Sequence, residues 1–330
     1  MTIRIAPAIN RRGSTSNVDS VVMAGAKYAP AISLSPIVLA QIATTVLFLI
    51  ASICGVNFSE SAVTTTACLC ILIVGVPHGA FDIRSLLATE ATGLQQATGL
   101  FLYIVTGTVM AAVWWYAPVF ALVLFFTTAI SHFGEDWCKT DSPFLSHGAA
   151  LGLLSAPTLL HGPIIVSLFT TITSNRTSAA LESVLTLVAP VAIAAALAAT
   201  AILWFNQNRE IAIAGFFALI GLIALPPVVG FAIFFCLHHS PRHFAKALGP
   251  DARGTLNCWA IPIALTTMLA LGLAGIIYWL AAFSSPSAAV VRASFISLSI
   301  LTVPHMLLPR IVCARNIERW LPRKEFNQRR

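Results

Sequence analysis

The chain has 330 residues, 58% of them hydrophobic and only 9% charged, with a mean hydropathy of +0.87. A soluble domain carries about 25% charged residues, and a soluble core of this size could not hide so much apolar surface. The composition excludes a soluble protein and predicts an all-α, polytopic helical bundle in a bilayer.

Residues 1–30 are polar and basic, and no apolar segment precedes about residue 33. They read as a disordered cytoplasmic tail rather than a cleavable signal peptide. Ten apolar runs follow, at 33–57, 62–81, 98–116, 118–137, 145–169, 180–205, 210–226, 228–247, 257–283 and 287–308. Each is close to the ~20 residues that a spanning helix needs, so about ten transmembrane helices are expected within one domain, 31–309. Pro226-Pro227 divides the seventh run from the eighth, because proline breaks a helix interior. Pro157 and Pro163 interrupt the fifth. Trp114-Trp115-Tyr116 closes the third run as an expected interfacial belt. Residues 310–330, with seven Lys/Arg, form a second basic tail.

With the N-terminus in the cytoplasm and ten alternating crossings, all of the 19 Lys/Arg except Arg176 and Arg292 fall on the cytoplasmic side. The positive-inside rule therefore selects N-in and C-in, a multi-pass protein of the cell inner membrane. The basic residues act as loop and tail anchors facing anionic lipid. The net charge of +7 needs no nucleic acid to explain it. The seven cysteines form no disulfide or zinc framework and read as buried thiols. Cys68 and Cys70 fall on different sides of their helix. Gly148-x-x-x-Gly152 is a helix-packing motif.

The chemistry lies in the eight histidines. Ionisable residues inside a membrane are costly and mark function by default. His78 ends the second run, His132 the fourth, His239 and His243 the eighth, and His305 the tenth. Even-numbered helices run the same way, so these residues share one depth, near the cytoplasmic face. His239 and His243 are four apart and share a helix face, as two ligands of one metal would. Pro241, between them, should loosen the helix, which is tolerated where the backbone lines a cavity. The metal ligands expected are His78, His132, His239 and His243. His238 points elsewhere. Asp82, Glu135 and Asp136 stand close by and fit the outer shell that accepts a ligand's second N–H. His161 could line a substrate cavity, and His147 reads as an interfacial residue. Imidazoles suit iron, copper, zinc and nickel, and the residues alone do not choose among them. An octahedral site with four nitrogens keeps two positions open for oxygen, whereas a four-ligand zinc site is closed.

Pro-His-Gly-Ala-x-Asp (77–82), His-Phe-Gly-x-Asp (132–136), His-Ser-x-Arg-His (239–243) and Thr-Val-Pro-His-Met (302–306) stand in that order. This pattern resembles the Brp/Blh family of β-carotene 15,15′-dioxygenases over most of the chain. The resemblance implies Fe(2+)-dependent cleavage of the central double bond of β-carotene by O2. The products would be two all-trans-retinal molecules, with a microbial rhodopsin as retinal acceptor. It implies iron ligands at His78, His132, His239 and His243, with His305, Asp82, Asp136 and His161 backing the ligands or lining the substrate pocket. Phe81, His238 and Pro241 depart from the family pattern. Other readings are a membrane oxygenase on another carotenoid, a di-iron desaturase, and a histidine-rich haem-binding or transport protein. A desaturase needs several histidine clusters, and only 238–243 is clustered. Transporters often carry inverted repeats, and no repeat is found.

Overall fold

Each of the ten apolar runs is mainly helical in the structure, a computed structural model. It describes residues 34–58, 60–80, 93–248, 259–281 and 285–320, with the backbone alone at 78, 94–95, 246–248 and 307–320. These residues belong to one compact unit beginning at Leu34, and no strand occurs among them. The tail expected at 1–30 lies outside the described residues.

The helices are α1 (Pro36–Ile53), α2 (Ser61–Cys70), α3 (Gly93–Tyr116), α4 (Pro118–Gly134), α5 (Pro143–Ser155), α6 (Thr158–Thr173), α7 (Ala179–Phe205), α8 (Arg209–Ala224), α9 (Pro227–Ile233), α10 (Ser240–Leu248), α11 (Ala260–Leu280) and α12 (Pro286–Trp320). Proline sits in the first helical turn of α1, α4, α5 and α9, where its missing N–H costs nothing. Ser35 and Ser142 cap α1 and α5 by accepting from Val38 N and Leu145 N. α12 continues to Trp320, past residue 309 where the basic tail was expected to begin.

Fewer helices than the expected ten are long and apolar enough to cross a membrane. Six qualify among the described residues, and a seventh if α5 and α6, bent by 69° at their junction, count as one span. The other runs are too short or too broken: α8 has 16 residues, α2 has 10 and α9 has 7. α2 and α9 each lead into a π-helical turn, at Ile71–Gly75 and Phe234–His239. The Pro226-Pro227 break falls where expected, with Leu225 extended between α8 and α9.

Close packing sets the frame. α5 lies against α7, with Gly152 so near that a Cβ there would come within 2.5 Å of the Ala192 carbonyl oxygen. This is the packing role expected of Gly148-x-x-x-Gly152. Two surface expectations need correction. Trp115 and Tyr116 are 74% and 83% exposed, but Trp114 is buried and donates its indole N–H to Ser299 Oγ at 3.0 Å. It belongs to the core, because α12 packs against its side of α3. Of the described cysteines only Cys68 and Cys236 are buried; Cys54, Cys70 and Cys138 are exposed, on helix faces turned outward or at helix ends.

Candidate functional site

Two helix pairs four residues apart build the site. His132 ends α4, and Asp136 follows on the 3-10 turn Glu135–Thr140. His239 ends the second π turn, and His243 follows on α10. The loosening expected at Pro241 takes the form of this π turn just before it. The two π turns pack together. Cys236 Sγ donates to Cys70 O at 3.4 Å and Ser240 Oγ to Val74 O at 3.4 Å. Gly75 meets Phe235 so closely that a Cβ would lie 2.3 Å from its ring. Irregular backbone survives in a membrane protein where other protein groups satisfy it, and π turns recur at functional sites.

The facing pairs meet in a buried square. His239 donates from Nδ1 to Asp136 Oδ2 at 2.7 Å, with the imidazole fully buried and the carboxylate nearly so. The carboxylate thereby fixes the tautomer, with the proton on Nδ1 and a lone pair on Nε2. That lone pair points at His132 Nε2, 2.9 Å away. The His243 ring lies 4.3 Å from that of His239 and 5.2 Å from that of His132, between centroids. His243 Nε2 is 3.6 Å from Asp136 Oδ1, too long for a hydrogen bond. Ligand atoms of Asp136, His239 and His243 all lie within 4.8 Å of one another. His305, from α12, stands perpendicular to His132 at 5.0 Å. Four of the histidines singled out in the sequence are thus brought together.

His78 lies on the 3-10 turn Val76–Gly79, which packs against α10 and α11. Its backbone is therefore beside the helix that carries His243, while its side chain lies outside the described residues, as does Asp82. Glu135 is exposed. His161 sits at a kink in α6 (φ −126°, ψ 25°) with a buried, unpartnered Nε2. It shares no ring contact with the cluster among the described residues. His147 is exposed and bonds Pro143 O at 2.6 Å, as an interfacial residue would.

Two cavities lie near the square, and one of them is lined by its residues. One is a narrow apolar slot of about 70 Å³, bounded by Trp114, Phe125, Phe126, Phe231, Phe234 and Phe295 among other apolar residues. Its one polar lining atom of note, the Trp114 N–H, is spent on Ser299. Phe231 stacks on Phe235 at 5.5 Å, and Phe235 stacks on His239 at 5.6 Å. Phe133 packs edge-on between Phe234 and His239. The slot therefore ends one aromatic ring from the imidazoles. The second cavity is wider and polar, with Asp136, His243, Arg242, Glu135 and Glu210 on its walls.

A family model described as beta-carotene 15,15′-dioxygenase matches residues 69–312. The chain belongs to that family. As a β-carotene 15,15′-dioxygenase family member it is an enzyme of the dioxygenase class. A beta-carotene 15,15′-dioxygenase of an uncultured marine bacterium, 66A03, is 29% identical over 255 residues, covering 72% of this chain and 90% of that protein. A probable beta-carotene 15,15′-dioxygenase, Blh, of Halobacterium salinarum is 25% identical over 298 residues, covering 77% and 86%. No solved structure matches the chain. The family match contains all the residues of the square and of both π turns.

Sequence patterning does not single out Phe133, Phe231, Phe234 and Phe235, which are hidden among 20 phenylalanines. Gln41 and Arg242 also belong to the site's surroundings without having been expected there. Arg242 is not the lipid-facing anchor that its basic charge suggests: its guanidinium turns inward to His238 and the Asp136 carbonyl. Gln41, fully buried, carries a signal that could have found it, a polar residue within an apolar run.

Proposed function

We propose that this dioxygenase cleaves β-carotene at its central 15,15′ double bond with O2, giving two molecules of all-trans-retinal, and that it uses Fe(2+) held by His78, His132, His239 and His243. The observation that carries the reading is the His132–His239 pair, with Nε2 atoms 2.9 Å apart, His239 oriented by Asp136, and an apolar slot ending beside it. The donor set fits a metal. Two nitrogens at about 2.1 Å from one ion lie about 3.0 Å apart when they subtend a right angle and about 3.4 Å apart in a tetrahedron. The 2.9 Å separation is close to both, so the two imidazoles could hold one ion.

Ferrous iron in such a site supplies the activation of O2. The chain does the rest. Asp136 acts through His239, because its Oδ2 is spent on Nδ1 rather than on a ligand position. The slot's apolar lining suits part of a wholly apolar polyene, with the Phe231–Phe235–His239 stack setting how closely it approaches the imidazoles. A more open groove sharing Leu168 and Pro227 with the slot gives the substrate lateral access. Both oxygen atoms enter the two aldehydes, so the balance needs no reductant and no general acid. The retinal would serve a microbial rhodopsin. Six crossings, an even number, would put both basic tails on one side, which supports an inner-membrane protein with both termini in the cytoplasm.

The test is expression in a β-carotene-accumulating bacterium supplied with iron, with retinal measured by chromatography. Retinal from the native chain but not from His132→Ala or His239→Ala is the expected result. Unchanged β-carotene with the protein present in the membrane would overturn the assignment.

A further inference from the structure

Beside the square runs a second pair of residues four apart, His238 and Arg242, each one position before a member of the pair His239 and His243. The second pair belongs to a directed chain of hydrogen bonds. Arg242 Nη2 donates to the Asp136 carbonyl at 3.0 Å, and its Nη1 lies 3.2 Å from His238 Nε2. A guanidinium can only donate, so His238 Nε2 accepts and its proton sits on Nδ1. That Nδ1 lies 3.3 Å from Gln41 Oε1, and Gln41 Nε2 donates to Ala214 O at 2.8 Å. Each donor meets an acceptor, and His238 and Gln41 are almost wholly buried. Glu135 and Glu210 line the same polar cavity as Arg242, yet neither pairs with it. Glu210 accepts instead from Ser35 N. The guanidinium thus spends its donors on two uncharged acceptors inside the protein.

The carbonyl it holds matters. The last carbonyls of a helix lack partners within it, and basic side chains can cap them. Asp136 O belongs to the turn that extends α4, the helix that carries His132. Arg242 therefore pins the end of α4 to α10, while His238 and Gln41 pin Arg242 to α1 and α8. Neither Arg242 nor His238 contributes an atom to the square.

We propose that Arg242 is a positioning residue, held at its angle by His238 and Gln41, that sets the register of the helix bearing His132 and Asp136 against the helix bearing His239 and His243. The inference rests on the metal reading above and deepens it. Without the clamp, Asp136 and His132 lose their registration against His239, and the lone pairs no longer converge.

The test is a Co²⁺ titration of the purified, metal-stripped protein in detergent micelles, read by visible absorption, with thermal midpoints measured alongside. Arg242→Met and His238→Phe should weaken Co²⁺ binding about tenfold and change the ligand-field bands, as loss of outer-shell support does. His238→Gln can accept from Arg242 and donate to Gln41, so it should stay within about twofold of wild type. If Arg242→Met fails to fold, Arg242→Lys, which keeps the charge but reaches one acceptor, should give an intermediate loss in a folded protein. Wild-type affinity and spectrum in folded Arg242→Met and His238→Phe would overturn the proposal. So would equal losses in His238→Gln and His238→Phe, which would make the role one of packing. If the native chain binds no Co²⁺, or His239→Ala binds it equally well, the metal reading falls and the clamp falls with it.

Discussion

Asp136→Asn tests the centre of the site with the least steric change. The carboxylate meets His239 Nδ1 at 2.7 Å, and both groups are buried. A hydrogen bond to a charged group contributes about 1.5–3 kcal/mol, against about 0.5–1.5 kcal/mol for a neutral one. The amide therefore forfeits about 1–1.5 kcal/mol of orientation, close to a tenfold change in an equilibrium. An amide can also turn its NH₂ toward Nδ1, which would move the ring proton to Nε2 and remove the lone pair that faces His132. The expected loss in metal affinity is about 10- to 100-fold, with retinal formation at limiting iron falling in parallel. Affinity is measured by titrating the stripped protein with Co²⁺, and turnover by chromatography of retinal. Wild-type affinity and turnover in Asp136→Asn would refute the orienting role. A loss far beyond a hundredfold would also refute it, because only removal of a direct ligand, rather than of outer-shell support, reaches that size.

Four further outcomes follow from the same geometry. Gly75→Ala forces a methyl to 2.3 Å from the Phe235 ring. The ring stacked on His239 must shift, at a cost of about 1–3 kcal/mol, and both the thermal midpoint and the retinal yield should fall. Gly152→Ala places a methyl 2.5 Å from the Ala192 carbonyl oxygen, backbone that cannot rotate away; the thermal midpoint should drop by a similar energy without any change in Co²⁺ affinity per folded molecule. Trp114→Phe removes the bond to Ser299 and reshapes a slot whose walls carry no imidazole, so KM for β-carotene should rise more than kcat falls, as loss of uniform binding requires. Chelation of iron should abolish retinal formation, and Fe(2+) should restore it.

Much of the site is legible in the order of the residues. The i, i+4 spacing of His239 and His243 puts two imidazoles on one helix face, and the end-of-run placement of His132 and His305 brings them to the same region. Asp136 is within reach of sequence reasoning because ligating imidazoles need a partner for their second N–H. The count of crossings is not legible in the same way. An apolar run of about 20 residues reads as one spanning helix, but hydropathy does not register the π turns that break the runs holding α2 and α9, or the bend between α5 and α6. Burial of single residues is also hidden. Trp114 and Trp115 are adjacent in sequence, yet one faces α12 and the other faces outward. Counting charges assigns Arg242 to a surface, because a count cannot tell a guanidinium that turns inward from one that turns to lipid.

The π turn at Phe234–His239 separates two demands on one segment. An α-helix turns about 100° per residue, and the π turn holds one residue more than an α-helix would use over the same rise. Deleting one residue there would leave a helix of nearly the same length and apolarity, as acceptable to the membrane as before. With the π turn kept, a deletion in α9 would instead swing His239 and His243 about 100° around the axis, away from α4. Insertion in the bilayer depends on what the residues are, whatever their order, whereas the meeting of the imidazoles depends on how many residues separate them from Pro227. Point substitutions along α9 can therefore accumulate under the membrane's tolerance, while insertions and deletions in this stretch are answerable to the chemistry.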